Sequence, residues 1–302
     1  MSENRKLPVF KSLGEVLSGV MRHYFQLLIV AWPAVVFLLA GAGFVVWQYA
    51  NVGLFQAYVA KDGAPDMVAV MASMQQLSAS GMMALIWGAN LVLLVASAVA
   101  AVRWHRFVLL GEGAANLGAV RLLRAEDGRY IWALIKMFLL TIAVMMVVSA
   151  VLGVIFAVLK AGEIDLLGPA MIVMVVILFA LLLWGYTLLF RLMLALPDAS
   201  VSRGGRVFAV FSASAGNGWR LLGLFVLVAL VYFVVSYVIL EILRFLAGAF
   251  GINDFSSPAL LIPAVVLYLG LYLFAVMTQV TMLSVAYREI IGLPDDAAPA
   301  QV

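Results

Sequence analysis

Residues 167–190 read LGPAMIVMVVILFALLLWGYTLLF and are closed by Arg191. No charge interrupts this run. At about 1.5 Å of rise per residue, a helix of this length outreaches the roughly 30 Å hydrocarbon core of a bilayer. Five further stretches have the same character: about Phe25–Trp47, Met82–Val102, Ile131–Leu159, Leu221–Leu240 and Ala259–Ala286. Barrel strands would alternate polar and apolar residues over about ten positions, and these segments do not. The pattern predicts an all-α, polytopic membrane protein with six transmembrane helices.

Composition agrees with the pattern. The chain has 302 residues, of which 66% are hydrophobic and only 11% charged. A soluble domain could neither bury so much apolar surface nor wet what remained. The absence of cysteine excludes disulfides, thiolate metal sites and thiol nucleophiles. The polar N-terminal stretch reaches past Arg22 and lacks the shape of a cleavable signal, so the first span is expected to persist. A pI near 9.2 does not require nucleic acid, because the excess is the ordinary loop bias of membrane proteins.

Three of the 18 Lys and Arg residues, Lys61, Lys160 and Arg244, stand outside one alternating set of segments. The others collect at the N-terminus (Arg5, Lys6, Lys11, Arg22), between spans two and three (Arg103, Arg106, Arg121, Arg124, Arg129, with Lys136), between spans four and five (Arg191, Arg203, Arg206, Arg220), and after span six (Arg288). Placing a cation at the centre of a spanning helix costs about 2.5–3.5 kcal/mol on insertion scales, and basic loops stay inside. The expected location is the bacterial inner membrane, multi-pass, with both termini cytoplasmic.

The even-numbered spans end alike. Arg106 leads to Glu112-Gly113-Ala114, Arg191 to Pro197-Asp198-Ala199, and Arg288 to Pro294-Asp295-Asp296. Apolar residues at helical steps precede the odd-numbered spans: Phe10, Leu13, Leu17, Val20 and Tyr24, then Leu117, Val120 and Leu123, then Val207, Phe208 and Phe211. Aligning Ser18 with Ser212 sets Phe25 over Trp219 without a gap. The expected architecture is a single integral membrane domain, residues 1–302, of three units at about 8–114, 115–199 and 200–296. Each unit joins a cytoplasmic amphipathic helix to a transmembrane hairpin. Interface anchoring alone would also place Arg and a turn at hairpin ends.

No Walker loop, GxSxG or HExxH occurs, and Asn116 breaks the Gly111–Gly118 run. His23 and His105 both fall at the cytoplasmic membrane edge without further ligands, which favours interfacial anchors over a metal. Glu241 and Arg244, one turn apart near the outer interface, form a candidate ion pair. Asn90 and Gln279, with Thr281 and Ser284, are candidates for hydrogen bonding across helices or for lining a polar cavity. Arg106, Arg191 and Arg288 are candidate interface anchors. Pro33, with Gly41 and Gly43, predicts a kink or close approach in span one, and Pro263 does so in span six. Met67, Met71 and Met74 share a helical face, as soft copper ligands would, or as a short helix lying on the membrane would.

The stretch Arg191-Leu-Met-Leu-Ala-Leu-Pro197, then Phe208 and Ser212, then Gly216-Asn-Gly-Trp219-Arg-Leu-Leu222 resembles the membrane domain attached to some glycerophosphodiester phosphodiesterases. It is similar also to the related YciC-type inner-membrane proteins, whose function is unknown. The resemblance implies a six-span membrane module. It implies no lipid hydrolysis, because the phosphodiesterase barrel and its catalytic acids and histidines have no counterpart here.

The function expected is therefore a non-enzymatic accessory or scaffold in envelope or lipid homeostasis, with a small-solute or lipid transporter as the alternative. An intramembrane enzyme would need two titratable groups converging at one depth. No catalytic residue, metal or cofactor is expected. Partners are expected to be membrane lipids, with a membrane-protein partner or a second copy of the chain, and no nucleic acid.

Overall fold

The computed structural model describes residues 5–53, 66–111, 124–161, 169–201, 207–249 and 258–293. These residues form helices and their connections, with no strand among them. In chain order the helices are α1 (Val9–Val30), α2 (Trp32–Asn51), α3 (Met67–Ala79), α4 (Met82–Leu110), α5 (Ala125–Ala161), α6 (Pro169–Met193), α7 (Ala195–Val201), α8 (Val207–Ala213), α9 (Gly218–Ala249) and α10 (Pro258–Ile290). Six of them, α2, α4, α5, α6, α9 and α10, are long and apolar enough to cross a membrane. The chain is a multi-pass membrane protein.

The helices overrun the apolar stretches because backbone hydrogen bonding continues into the polar end turns. α4 runs on past Arg103 and His105 until Gly111, whose φ of +66° permits the left-handed turn and whose N–H returns to the Phe107 carbonyl. α5 opens on Glu126 and Asp127, while α6 and α10 carry Arg191 and Arg288 in their last turns. These charges sit where the helix dipole favours each sign. Asp66 caps α3 by accepting from the Val68 and Ala69 amides.

α4 and α10 stand at the centre. α2, α3, α5, α7 and α1 pack on α4, and α1, α9 and α7 pack on α10. Ala98–His105 of α4 is buried on every side, as is Met277–Tyr287 of α10 apart from Gln279. The largest enclosed side chains, among them Trp104, Leu27, Leu194, Leu224 and Met277, gather where the basic clusters converge. We call this the basic end.

α1 differs from the expected first span. The predicted stretch Phe25–Trp47 is broken at Ala31, because Pro33 lacks the N–H that would continue the ladder, and α2 restarts at Trp32. Within α1, His23 leaves helical geometry at φ −111°, ψ 15°. Glu15 meets Arg288 at the end of α10, while His23 meets Phe107 near the end of α4. Those two helix ends lie level, since His105 contacts Ser284. Residues 15–23 span about 12 Å of helix, close to the 8–10 Å between packed neighbours. The first half of α1 therefore crosses the end of the bundle, and the His23 kink turns the chain toward the membrane.

Other expectations change in detail. Val16 and Val20 face inward from α1 while Phe10 points out, and Val210 rather than Phe208 faces inward from α8. The turn expected after Arg191 is a short helix, α7, with Pro197 in its first turn where no amide partner is lost. Gly41 does let helices approach closely: a Cβ there would lie 3.0 Å from Leu93 on α4. Gly43 has open space, and Pro263 lies in the second turn of an uninterrupted α10. Leu117, Val120 and Leu123, like Glu112–Ala114 and Pro294–Asp296, lie outside the described residues.

Candidate functional site: the basic end of the bundle

Polar side chains at the basic end reach between helices far apart in sequence. The Leu7 amide donates to Asn217 Oδ1 (2.9 Å), Asn217 Nδ2 donates to the Arg5 carbonyl (2.9 Å), and Arg220 donates to the Leu7 carbonyl (2.9 Å). Arg288 pairs with Glu15 at 2.9 Å, and Lys11 lies 3.8 Å from Glu289. The start of α1 is thus tied to α9 and α10. Both described ends of the chain meet there.

The other two closing arginines also bind neighbouring segments. Arg191 stacks on the Phe211 ring with its guanidinium 3.9 Å from the centroid, and donates to the Phe211 carbonyl (2.7 Å). Arg106 donates to the Ser200 carbonyl at the end of α7 (2.9 Å). All three act between helices, in addition to any role at the membrane surface.

A second layer is fully enclosed. Ser284 donates to the Val280 carbonyl (2.9 Å), so its oxygen accepts from His105 Nδ1–H at 2.7 Å. That leaves His105 Nε2 to accept from the Tyr130 hydroxyl, at a long 3.5 Å. Trp104 Nε1–H donates to the Leu27 carbonyl (2.6 Å), and the Tyr287 hydroxyl donates to Asp198 (2.9 Å). A serine bonded to a histidine is the arrangement a nucleophile needs. Here His105 and Ser284 are both 0% exposed. The pair forms a hydrogen bond between α4 and α10. Ser284 was legible as a polar residue on span six; His105 and Tyr130 as its partners were not, because they come from other spans.

His23 and His105 do not come together. His23 bonds Gln26 and packs edge-on against Phe107, while His105 is in the core. No group of three metal-ligating side chains occurs among the described residues. Met67, Met71 and Met74 all point outward from α3, while Val70, Ser73 and Leu77 face the bundle.

Asn90 and Gln279 are likewise apart. Asn90 is exposed and donates to the Ile86 carbonyl of its own helix (2.8 Å). Gln279 opens into a cavity of about 200 Å³ beside Ser97 and Tyr130, which Asn90 does not line. Glu241 is half-buried on α9 and engaged by a neighbour, and the Arg244 side chain lies outside the described residues.

A smaller polar cleft, about 50 Å³, opens between α1, α4 and α10, with Glu15, Ser18, Arg22, His23, Thr281 and Arg288 in its wall. No family model, curated protein or solved structure matches this chain.

Proposed function

We propose that this protein is a non-enzymatic accessory or scaffold of the bacterial inner membrane, acting in envelope or lipid homeostasis, with both termini cytoplasmic. The observation that carries this reading is the first half of α1. It lies outside the six spans, crosses the basic end, and is held there by Asn217, Arg220 and Arg288. Its outer face presents Phe10 and Met21 beside Lys11 and Arg22. Apolar side chains flanked by cations suit an amphipathic helix on an anionic leaflet, each cation adding about 1 kcal/mol.

Three repeated units, as in the YciC-type proteins the sequence resembles, belong to the same proposal. Burial supports it. Val16, Val20, Leu27 and Val30 are buried, and so are Val210, Ser214, Leu221 and Leu224 in the alignment that sets Ser18 over Ser212. The residues four and one before each closing arginine are buried too: Val102 and His105, Thr187 and Phe190, Ser284 and Tyr287.

Two experiments test the reading. The chain has no cysteine, so single-cysteine variants report cleanly. Ser78→Cys should react with an impermeant maleimide on intact spheroplasts, and Ala213→Cys only after permeabilisation. The opposite result would overturn the orientation. Affinity purification in mild detergent should retain a specific lipid or partner protein; recovery of neither would remove the accessory role. The Gln279 cavity favours the alternative, a lipid or small-solute transporter, which requires that Gln279→Cys be labelled from both faces.

A further inference from the structure

Two residues that wall the small cleft at the basic end carry an oxygen atom that the protein leaves unsatisfied. Arg288 binds one carboxylate oxygen of Glu15, but the other, Oε2, is buried without a hydrogen-bond partner. Thr281 Oγ1 is also buried without one, on a residue 3% exposed. Most buried polar groups are paired, so these two atoms call for a partner, although the Glu15 side chain as a whole is 39% exposed. Both oxygens belong to residues that wall one cleft. Each can accept an N–H.

The rim has the opposite character. Arg22 is exposed and makes no hydrogen bond or ion pair among the described residues, and Ser18 is exposed one turn before it. A ligand that suits this wall brings hydrogen-bond donors inward and an anionic oxygen to the rim. A bare phosphate satisfies only the rim and would meet Glu15. A water satisfies only the interior.

We propose that the cleft binds the phosphoethanolamine headgroup of a membrane lipid, its ammonium donating to Glu15 Oε2 and Thr281 Oγ1 and its phosphate facing Arg22. At 50 Å³ the interior has room for roughly three to five water-sized groups, enough for an aminoethyl end. The acyl chains also have a path. A groove of about 380 Å³ runs between α2 and α4, with Pro33, Phe37, Val95 and Val99 in its wall and Arg103 at its foot. Arg103 stands one turn from Phe107, which walls the cleft, so groove and cleft follow one face of α4. The proposal rests on the reading that the basic end lies at headgroup level.

Native mass spectrometry of the full-length protein in detergent, titrated with defined lipids, tests it. With matched acyl chains, phosphatidylethanolamine should bind roughly tenfold more tightly than phosphatidylcholine, whose quaternary ammonium has no N–H to give. Thr281→Val should cut phosphatidylethanolamine binding about fivefold or more without lowering the unfolding midpoint in lipid-free detergent, since the hydroxyl makes no bond in the fold and its burial there is costly. Arg22→Gln should weaken phosphatidylethanolamine and phosphatidylglycerol alike, because both offer a phosphate. Equal binding of the two zwitterionic lipids, or an indifferent Thr281→Val, would mean a water-filled cleft only and overturn the proposal. Soluble phosphoethanolamine binding as tightly as the lipid would make the ligand a free metabolite and overturn the membrane source. A failure of the membrane placement itself would instead appear in the Ser78 and Ala213 labelling, a readout that lipid selectivity does not touch.

Discussion

α10 and α9 are adjacent helices with opposite designs. In the stretch Leu269–Ile290 of α10, 12 of 22 residues are buried, against 4 of 25 in Gly218–Ile242 of α9. α10 places Thr278, Thr281, Ser284 and Tyr287 in the interior, whereas α9 turns Leu230, Phe233, Val234 and Tyr237 outward. Lipid tails are as apolar as leucine, so burying leucine brings little gain between helices in a membrane. Close packing and hydrogen bonds must hold the bundle. The helix with the polar residues is therefore the central one, and the more hydrophobic helix is the one lipid can cover.

That contrast can be broken by mutation. The largest effect is expected at Trp104, which packs on the central pair and donates to Leu27. Trp104→Ala should cost about 3–5 kcal/mol, read as a shift in the unfolding midpoint in detergent. Ser284→Ala, which removes the interhelical bond to His105 without adding volume, should cost about 1 kcal/mol by the same measurement. The double variant with His105→Leu should cost less than the sum of the singles, because the two side chains share one bond. Phe233→Ala on the outer face of α9 should change stability by no more than about 0.5 kcal/mol. A loss at Phe233 comparable to that at Trp104 would mean that α9 is covered by a second copy of the chain rather than by lipid.

The six spans were legible because bilayer thickness imposes a length on apolar runs, and each run keeps most of its residues in one helix. What escaped was local backbone and long-range pairing. Hydropathy counts Phe25–Val30 with Trp32–Trp47, although the missing amide of Pro33 ends the first helix at Val30. The outward faces of Phe10 and Phe208 escaped because lipid and protein core reward the same side chains, so periodicity finds an apolar stripe without saying which solvent it meets. The closing arginines stood out by position, but their partners Glu15, Phe211 and Ser200 depend on which helix ends become neighbours. The polar cleft combines residues 15–23 with Thr281 and Arg288, a separation that no local pattern spans.

The bonds from Asn217 and Arg220 to Arg5 and Leu7 set an order of events during synthesis. Arg5 and Leu7 leave the ribosome well before their partners, which follow more than 200 residues later. At about 5–20 residues per second, that delay is on the order of 10–40 s. Throughout it, α1 is a ribosome-proximal helix with its valine face uncovered, open to chaperones or to the bilayer surface. Seating α1 is thus a late step of maturation, and it can report that the α9–α10 hairpin has been inserted.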